Sequence, residues 1–207
     1  MRISDFFHIN FYKLNLRDYR KQIKEDEYAF STFRGGEGTL SNREKKSIEF
    51  LAVKYYRLYI ANYNTIWRYW FALFCHRYYK KYGIEIQSNH SIGRGFVIGH
   101  WGRIVVSGDA IIGDQVMITH GVTIGRDIRG KHKGVPKIGN RVAIRANSTV
   151  TGNITIGDDV LIAPNTFVNF DVPSHSIVIG NPAKIISREN ATDGHVGRVA
   201  SESIFDL

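Results

Sequence analysis

The chain has 207 residues, a single cysteine, 43% hydrophobic residues and a formal net charge of +9. This length suits one domain with an appendage, and a lone cysteine excludes a disulfide framework within the chain. The basic residues lie mostly outside the regular part of the sequence and form no nucleic-acid-binding motif. We therefore expect no nucleic-acid partner, since an anionic cofactor, an acidic glycan or a membrane surface explains the charge equally well.

The first third of the chain is predicted to be helical. Ser41 and Glu44 have the spacing of a capping box, and apolar residues follow at helical spacing. A second, aromatic-rich helix is predicted from about residue 65 to Tyr82, ending at Gly83. Its aromatic face favours packing against the rest of the chain or a neighbouring subunit, with peripheral membrane attachment as an open alternative. Cys75 lies within this apolar run and is expected to be a buried residue without a catalytic role.

A ladder of Ile and Val residues with a six-residue step runs from residue 86 to residue 168. The spacing is six within each of its three groups, and the two breaks measure eight and fourteen residues, so the register survives both. Gly, Asn or Asp commonly follows a ladder position. The thirteen positions are Ile86, Ile92, Ile98, Val106, Ile112, Ile118, Ile124, Ile138, Ile144, Val150, Ile156, Ile162 and Val168.

A period of six fits neither an α-helix nor alternating strands joined by hairpins. It is typical of a β-solenoid of hexapeptides, in which three hexapeptides form one triangular coil and residues eighteen apart stack. The predicted fold is therefore mainly β, a parallel β-helix preceded by an α-helical region. The predicted divisions are a helical region over 1–83, the β-helix over 84–187 and a loosely ordered tail over 188–207.

Two histidines interrupt the small residues expected at the corners of such a solenoid. His100 stands in the first break of the ladder, between Gly99 and Trp101, and His120 has the same position in a later hexapeptide. Their separation of twenty equals one coil of eighteen plus two inserted residues, so we predict them on neighbouring coils at the same corner. A substrate-facing and a structural role are equally open for His120. The residues expected to contact a substrate are Trp101, Arg103 and His120.

Several motifs between residues 84 and 187 share one resemblance. They are Ile84-Glu85-Ile86, Ser91-Ile92-Gly93-Arg94-Gly95, His100, Gly121-Val122-Thr123-Ile124-Gly125, Pro136-Lys137-Ile138-Gly139 and Gly180-Asn181-Pro182-Ala183-Lys184. This set resembles the serine acetyltransferases and the related sugar O-acetyltransferases, which are left-handed parallel β-helix enzymes that use acetyl-CoA. The left-handed sense is implied by this resemblance, because spacing alone does not define handedness.

The resemblance also implies a site. The catalytic histidine of these enzymes corresponds to His100, and the acidic partner that orients it corresponds to Glu85. Acetyl-CoA would lie in a groove between adjacent subunits of a homotrimer, and no metal is implied. The residues expected to contact acetyl-CoA are Gly125, Ala146, Ala163 and Lys184.

Two departures from the serine enzymes bear on the acceptor. This chain has Gly99 where they carry Asp, and Gly134-Val135 where they carry an Arg-His pair. Because those charged residues hold the amino acid, we expect a carbohydrate hydroxyl as the acceptor, in the synthesis of capsular, exo- or lipopolysaccharide, with an anionic glycan included. Serine O-acetylation is the alternative.

Other interpretations stay open. The loop Arg126 to Val135 breaks the ladder and holds His132, which would be catalytic in a galactoside-type acetyltransferase. A zinc enzyme of the γ-carbonic anhydrase type and a non-catalytic trimeric scaffold are more remote. No secretory signal is apparent, so we expect a cytoplasmic protein, with the inner face of the cell membrane as an open alternative.

Overall fold

The computed structural model describes residues 14–87 and 91–200, in which three α-helices and a 3-10 turn precede fourteen short strands. The helices are α1 (Arg17–Phe33), α2 (Ile48–Ala61) and α3 (Trp67–Tyr82), and the 3-10 turn is Glu44–Lys46. The strands are β1 (Ile84–Ile86), β2 (Val97–Ile98), β3 (Ile104–Val106), β4 (Ile111–Ile112), β5 (Met117–Ile118), β6 (Thr123–Gly125), β7 (Lys137–Ile138), β8 (Val142–Ile144), β9 (Thr149–Thr151), β10 (Thr155–Ile156), β11 (Val160–Ile162), β12 (Phe167–Val168), β13 (Ser176–Gly180) and β14 (Ala183–Ser187).

The strands form three sheets that are the faces of a prism. Sheet A has the order β1-β3-β6-β9-β12, sheet B has β4-β7-β10, and sheet C has β2-β5-β8-β11-β13 with β14 on its edge. Pairing is parallel throughout the prism, and only β14 pairs antiparallel among the described strands. Because successive strands pass from one sheet to the next, the chain winds into a solenoid of about five coils, and the predicted fold class is confirmed.

The predicted ladder is the core of the solenoid. Twelve of its thirteen residues are buried, and the first, Ile86, is half-buried. Strand pairing stacks the ladder positions of sheet C in register, from Ile98 to Ile118, Ile144 and onward. Each buried Ile or Val stabilises the fold by about 1.5–3 kcal/mol relative to an exposed one, so this interior dominates folding.

Polar residues after the ladder positions connect the coils at the edge between sheets B and C. A side-chain oxygen of Asp114 accepts from the backbone N–H of Arg94 at 2.7 Å, and Asn140 accepts from Asp114 at 2.9 Å. Asp158 then accepts from the N–H of Asn140, and the N–H of Asp158 donates to Ser174 Oγ. The Asp and Asn residues at these turns thus satisfy backbone groups that the short strands leave unpaired.

Helix α2 does not begin at the predicted capping box. The carboxylate of Glu44 accepts from the Ser41 N–H at 2.8 Å and from its hydroxyl at 2.6 Å, but this pair starts the 3-10 turn. The N-cap of α2 is Ser47, whose hydroxyl accepts from the N–H of Phe50. Helix α3 ends as predicted, at Gly83 with a left-handed φ of 65°.

A buried ion pair attaches the helices to the first coil. Arg57 of α2 donates from Nε and Nη2 to both carboxylate oxygens of Asp26 in α1, at 2.8 and 3.1 Å. Its remaining N–H groups reach the carbonyls of Ile92 and Gly93, and Asp26 also accepts from the N–H of Phe96. The two side chains are 2% and 0% exposed, so the contact excludes solvent.

Residues 188–200 do not form the loosely ordered tail that was predicted. Ala191, Thr192 and Val199 are buried, and Asp159 holds the segment on the solenoid. Its carboxylate accepts from the backbone N–H groups of Ala191 and Thr192 at 3.0 Å and from the Thr192 hydroxyl at 2.7 Å. His175 Nδ1 lies 2.9 Å from the same carboxylate. Residues 201–207 lie outside the described part, and the division into three regions stays a prediction.

We expect Asp159→Asn to destabilise the protein by about 1–3 kcal/mol near neutral pH, the usual range for hydrogen bonds to a charged group. Desolvation opposes ionisation, but hydrogen bonds from Thr192, His175 and Ala191 lower the pKa of Asp159 from 3.8 to about 2. A depressed folded-state pKa gives stability that is present above pH 3.8 and is lost as the pH falls through about 2. The difference in Tm between wild type and variant should therefore shrink over this range. The exposed neighbour Asp158, substituted by Asn, is the control, and equal effects of both substitutions at neutral pH would contradict the assignment.

Candidate active site

The edge between sheets C and A carries both predicted histidines. His100 and His120 follow β2 and β5 on consecutive coils, and their ring centroids lie 6.2 Å apart, as the spacing predicts. Both side chains are exposed. The Gly121 N–H donates to the Gly102 carbonyl, and the Asn147 N–H donates to the His120 carbonyl, so backbone hydrogen bonds fix the coils at this corner. We name this corner, residues 99–103, 119–122, 145–148 and 163–166, the histidine edge.

Trp101 and Arg103 lie on the same turn of the histidine edge as His100. Trp101 is 46% exposed and packs edge-on against Tyr82 at the end of α3, with centroids 5.5 Å apart. Arg103 has a left-handed φ of 48°, and its exposed guanidinium makes no hydrogen bond or ion pair with any described residue. A Cβ added at Gly83 would lie 3.0 Å from the Arg103 nitrogen, so α3 passes directly under this corner. Tyr82 was missed from the sequence, because only its place beneath Trp101 distinguishes it.

The small residues predicted for acetyl-CoA lie farther along the prism. Ala146 and Ala163 belong to the histidine edge: the Ala146 carbonyl accepts from the Asn165 N–H at 2.9 Å, and the Ala163 carbonyl accepts from the Ser148 hydroxyl at 2.8 Å. Exposed Lys184 follows in β14, paired with Ile179 of β13. Gly125 ends β6 at the opposite edge of sheet A, so one chain does not bring all four residues together.

Glu85 occupies the middle of β1 in sheet A, where it pairs with Val105. Its carboxylate accepts a hydrogen bond from Gln87 Nε2 at 3.0 Å, and within the described residues no hydrogen bond joins it to His100. Glu85 also lines a cavity of 330 Å³ between α2, α3 and β1, together with Tyr56 and Cys75. Its role as the partner of His100 stays a prediction.

The loop after β6 lies at the edge between sheets A and B. Asp127 and Gly134 exchange two backbone hydrogen bonds of 2.9 Å, and the His132 carbonyl accepts from the Asn153 N–H at 2.7 Å. Within one chain His132 therefore lies at a different edge from His100.

The structure gives a physical reason for Gly99. A Cβ added there would lie 3.1 Å from Thr119 Cγ2 and 3.4 Å from the ring of Phe33, which comes from the last turn of α1. A larger residue at position 99 would have to displace these groups. Phe33 was not singled out in the sequence, because nothing in α1 indicates that its last turn approaches Gly99.

Two further features concern the thiol of Cys75 and the side chains that could bind a metal ion. Burial raises the pKa of Cys75 to about 12, so this thiol is a poor nucleophile. Across residues 14–87 and 91–200, no three His, Cys, Asp or Glu side chains converge as a metal site would require.

A parallel solenoid of hexapeptides with exposed histidines on one edge defines the class of hexapeptide-repeat transferases. The family model described as "Bacterial transferase hexapeptide (six repeats)" matches residues 136–169. A serine acetyltransferase of Helicobacter pylori is 43% identical over 107 residues, which are 52% of this chain and 63% of that enzyme. That of Staphylococcus xylosus is 35% identical over 151 residues, which cover 65% of this chain and 70% of that protein. The chain belongs to the serine acetyltransferase family.

Solved structures agree with this assignment. Serine acetyltransferase of Neisseria gonorrhoeae in complex with serine superposes with a TM-score of 0.69 at 28% identity, covering 80% of this chain and 68% of that chain. These neighbours are left-handed β-helices, so the predicted handedness is confirmed. The chain spans less than two thirds of the Helicobacter pylori enzyme, 63% of its length.

The predicted carbohydrate acceptor, and with it a place in polysaccharide synthesis, is wrong. Its basis was three positions, Gly99, Gly134 and Val135, where charged residues of the serine enzymes are absent. The similarity to serine acetyltransferases extends over 107 to 151 residues and outweighs those departures. The error was to equate the absence of these charged residues with the absence of an amino-acid site.

Proposed function

We propose that the protein is a serine O-acetyltransferase that uses acetyl-CoA, as in the synthesis of cysteine. The observation that carries this proposal is the exposed pair His100 and His120, on one edge of a solenoid that is 43% identical to a serine acetyltransferase over 107 residues. A related enzyme of known structure was solved with serine bound.

In the proposed reaction, a ring nitrogen of His100 accepts the proton of the serine hydroxyl while that oxygen attacks the thioester carbonyl of acetyl-CoA. The tetrahedral intermediate then expels the CoA thiolate, which takes the proton back from the imidazolium. Serine leaves as its O-acetyl ester and CoA leaves as the thiol, so no covalent enzyme intermediate is needed. Glu85 is the proposed positioning residue. Its carboxylate would release the hydrogen bond from Gln87 and accept one from the second ring N–H of His100 instead.

Arg103 is the proposed partner of the serine carboxylate. Its guanidinium is exposed, and within residues 14–87 and 91–200 it has no anionic partner. It follows Trp101 on the same turn as His100, beside the ring contact between Trp101 and Tyr82. A guanidinium bound to a carboxylate forms strong, charge-assisted hydrogen bonds. His120 is proposed to contact the serine from the next coil.

Acetyl-CoA is proposed to lie along the histidine edge, beside the backbone of Ala146 and Ala163, with Lys184 near the CoA phosphates. Gly125 and the 126–135 loop lie on the other edge of sheet A. We therefore propose a homotrimer in which each groove combines the histidine edge of one subunit with the opposite edge of its neighbour. A head-to-tail contact of this kind closes into a ring when repeated by rotation.

The test is release of CoA thiol from acetyl-CoA, with and without L-serine. We expect serine-dependent release, and Arg103→Met should raise the KM for serine roughly 10- to 100-fold, the equivalent of one charge-assisted hydrogen bond. The KM for acetyl-CoA should not change. Arg20→Met, which removes an exposed arginine from α1, is the matched control. Release that does not depend on serine would overturn the proposed function, whereas an unchanged serine KM in Arg103→Met would overturn only the role of Arg103.

A further inference from the structure

The outward side of α3 exposes large apolar side chains and, farther along, basic ones. Tyr69, Trp70 and Leu73 are 60%, 57% and 63% exposed, and Ile66 just before the helix is 37% exposed. Soluble monomers rarely expose such residues side by side. We name this surface the α3 outer face, which comprises Ile66, Tyr69, Trp70, Leu73, Arg77, Lys80 and Lys81.

Helix α3 is held in place mainly by its opposite side, which the outer face meets at the edge-on contact of Trp70 with Phe74, with centroids 6.0 Å apart. The opposite side of the helix packs on the protein: Phe71 is buried, Phe74 stacks on Tyr55 of α2 with centroids 4.5 Å apart, and Tyr78 contacts the same ring. Tyr82 supports Trp101. The α3 outer face is therefore free to meet a partner without unfolding anything.

The charge of α3 has one sign. The helix contains four Arg and Lys residues and no Asp or Glu. Arg77, Lys80 and Lys81 are exposed, and within the described residues none of them forms an ion pair. Lys80 and Lys81 lie over the rings of Tyr79 and Tyr82, at 5.9 and 5.1 Å from the centroids. The exposed aromatic turns are thus followed by a cationic end with no internal counter-charge.

We propose that the α3 outer face docks the protein on an anionic lipid bilayer. Trp and Tyr prefer the boundary between headgroups and acyl chains, Leu and Ile insert just below it, and Lys and Arg bind anionic headgroups. No described helix combines the length and the apolar character that crossing a bilayer requires, so the contact is peripheral. The inference is independent of the proposed reaction, because the residues of the α3 outer face take no part in it.

A second copy of the chain fits this surface less well. In a parallel two-fold contact the Arg77, Lys80 and Lys81 side chains of the two copies would meet, and each chain already carries a net charge of +9. In an antiparallel contact the cationic end of each α3 would face the apolar turns of the other, which offer no Asp or Glu to pair with it. An anionic bilayer complements both halves of the face at once, since it offers an apolar layer beneath a negative surface.

The experiment is sedimentation of the full chain with vesicles of phosphatidylcholine alone or mixed with phosphatidylglycerol. We expect binding to the anionic vesicles only, weakened by salt, and reduced at least 10-fold both by Trp70→Ser with Leu73→Ser and by Lys80→Glu with Lys81→Glu. The matched control is Arg17→Glu with Arg20→Glu, which makes the same charge change at exposed positions of α1 and should leave most of the binding intact.

Four outcomes would overturn the inference. Equal binding to neutral and anionic vesicles would show that Arg77, Lys80 and Lys81 do not recognise anionic headgroups, and binding to neither would show that the α3 outer face does not dock on a bilayer. An equal loss in the α1 control shows that overall charge, and not this face, is responsible. Light scattering measures the mass of the assembly in units of the 23.6 kDa chain. A smaller assembly for the Trp70 and Leu73 variant than for the wild type would show that the α3 outer face is an interface between copies of the chain. Retained assembly mass with lost vesicle binding supports docking on the bilayer.

Discussion

Substituting His100 by alanine is expected to lower kcat with serine by about 10²- to 10⁴-fold, the usual contribution of a positioned general base. The serine hydroxyl is a weak nucleophile while it keeps its proton, and among the described residues His120, 6.2 Å away, is the only other imidazole on the histidine edge. Because His100 is exposed and its ring makes no hydrogen bond within the described residues, alanine there should leave the Tm and the affinity for acetyl-CoA nearly unchanged.

Steady-state kinetics of three single variants distinguish the assignments. His100→Ala should lose activity through kcat, and His120→Ala should lose less, mainly through the KM for serine. His132→Ala should retain most of its activity, because His100 supplies the proposed general base and the reaction needs no second one. If His132→Ala is inactive while His100→Ala is active, the loop histidine of a neighbouring subunit is the base and the assignment to His100 is wrong.

The solenoid could be predicted from sequence because its rule is local and repeated. Each hexapeptide places one β-branched residue inside and a Gly, Asn or Asp at the turn, so a single spacing specified which Ile and Val residues are buried. The same spacing predicted that His100 and His120 are neighbours, although twenty residues separate them. Features governed by the period therefore follow from the amino-acid sequence alone.

Features that depend on contacts between residues outside the six-residue repeat could not be predicted from the amino-acid sequence. Asp26 stands in the run Lys24 to Glu27, which has the composition of a solvated helix face, yet it is fully buried against Arg57, 31 residues away. Asp158 and Asp159 are adjacent and chemically identical, and only the fold shows that Asp159 holds residues 188–200. The acceptor was mispredicted for a different reason, because the three positions Gly99, Gly134 and Val135 are few beside a similarity to serine acetyltransferases over 107 to 151 residues.

The buried ion pair of Arg57 and Asp26 gives a second prediction, a large effect on the stability of the protein. Arg57→Met is expected to destabilise the protein by about 3–5 kcal/mol, because removing one partner leaves the other charge buried without compensation. Of its hydrogen bonds to described residues, Asp26 would keep only that from the N–H of Phe96, and the carbonyls of Ile92 and Gly93 would lose the donors that Arg57 supplies. The first coil would then lose its attachment to α1 and α2, so the helical region should loosen before the solenoid does.

Urea unfolding at a fixed protein concentration measures the effect, since the stability of an assembly depends on concentration. Arg20→Met, on an exposed position of α1, is the control and should change stability by less than about 0.5 kcal/mol. The double variant Asp26→Leu with Arg57→Met should be clearly more stable than the sum of the single losses predicts, because neither charge is then left alone. Additive losses, or a loss below about 1 kcal/mol for Arg57→Met, would show that the pair does not hold the helices on the first coil.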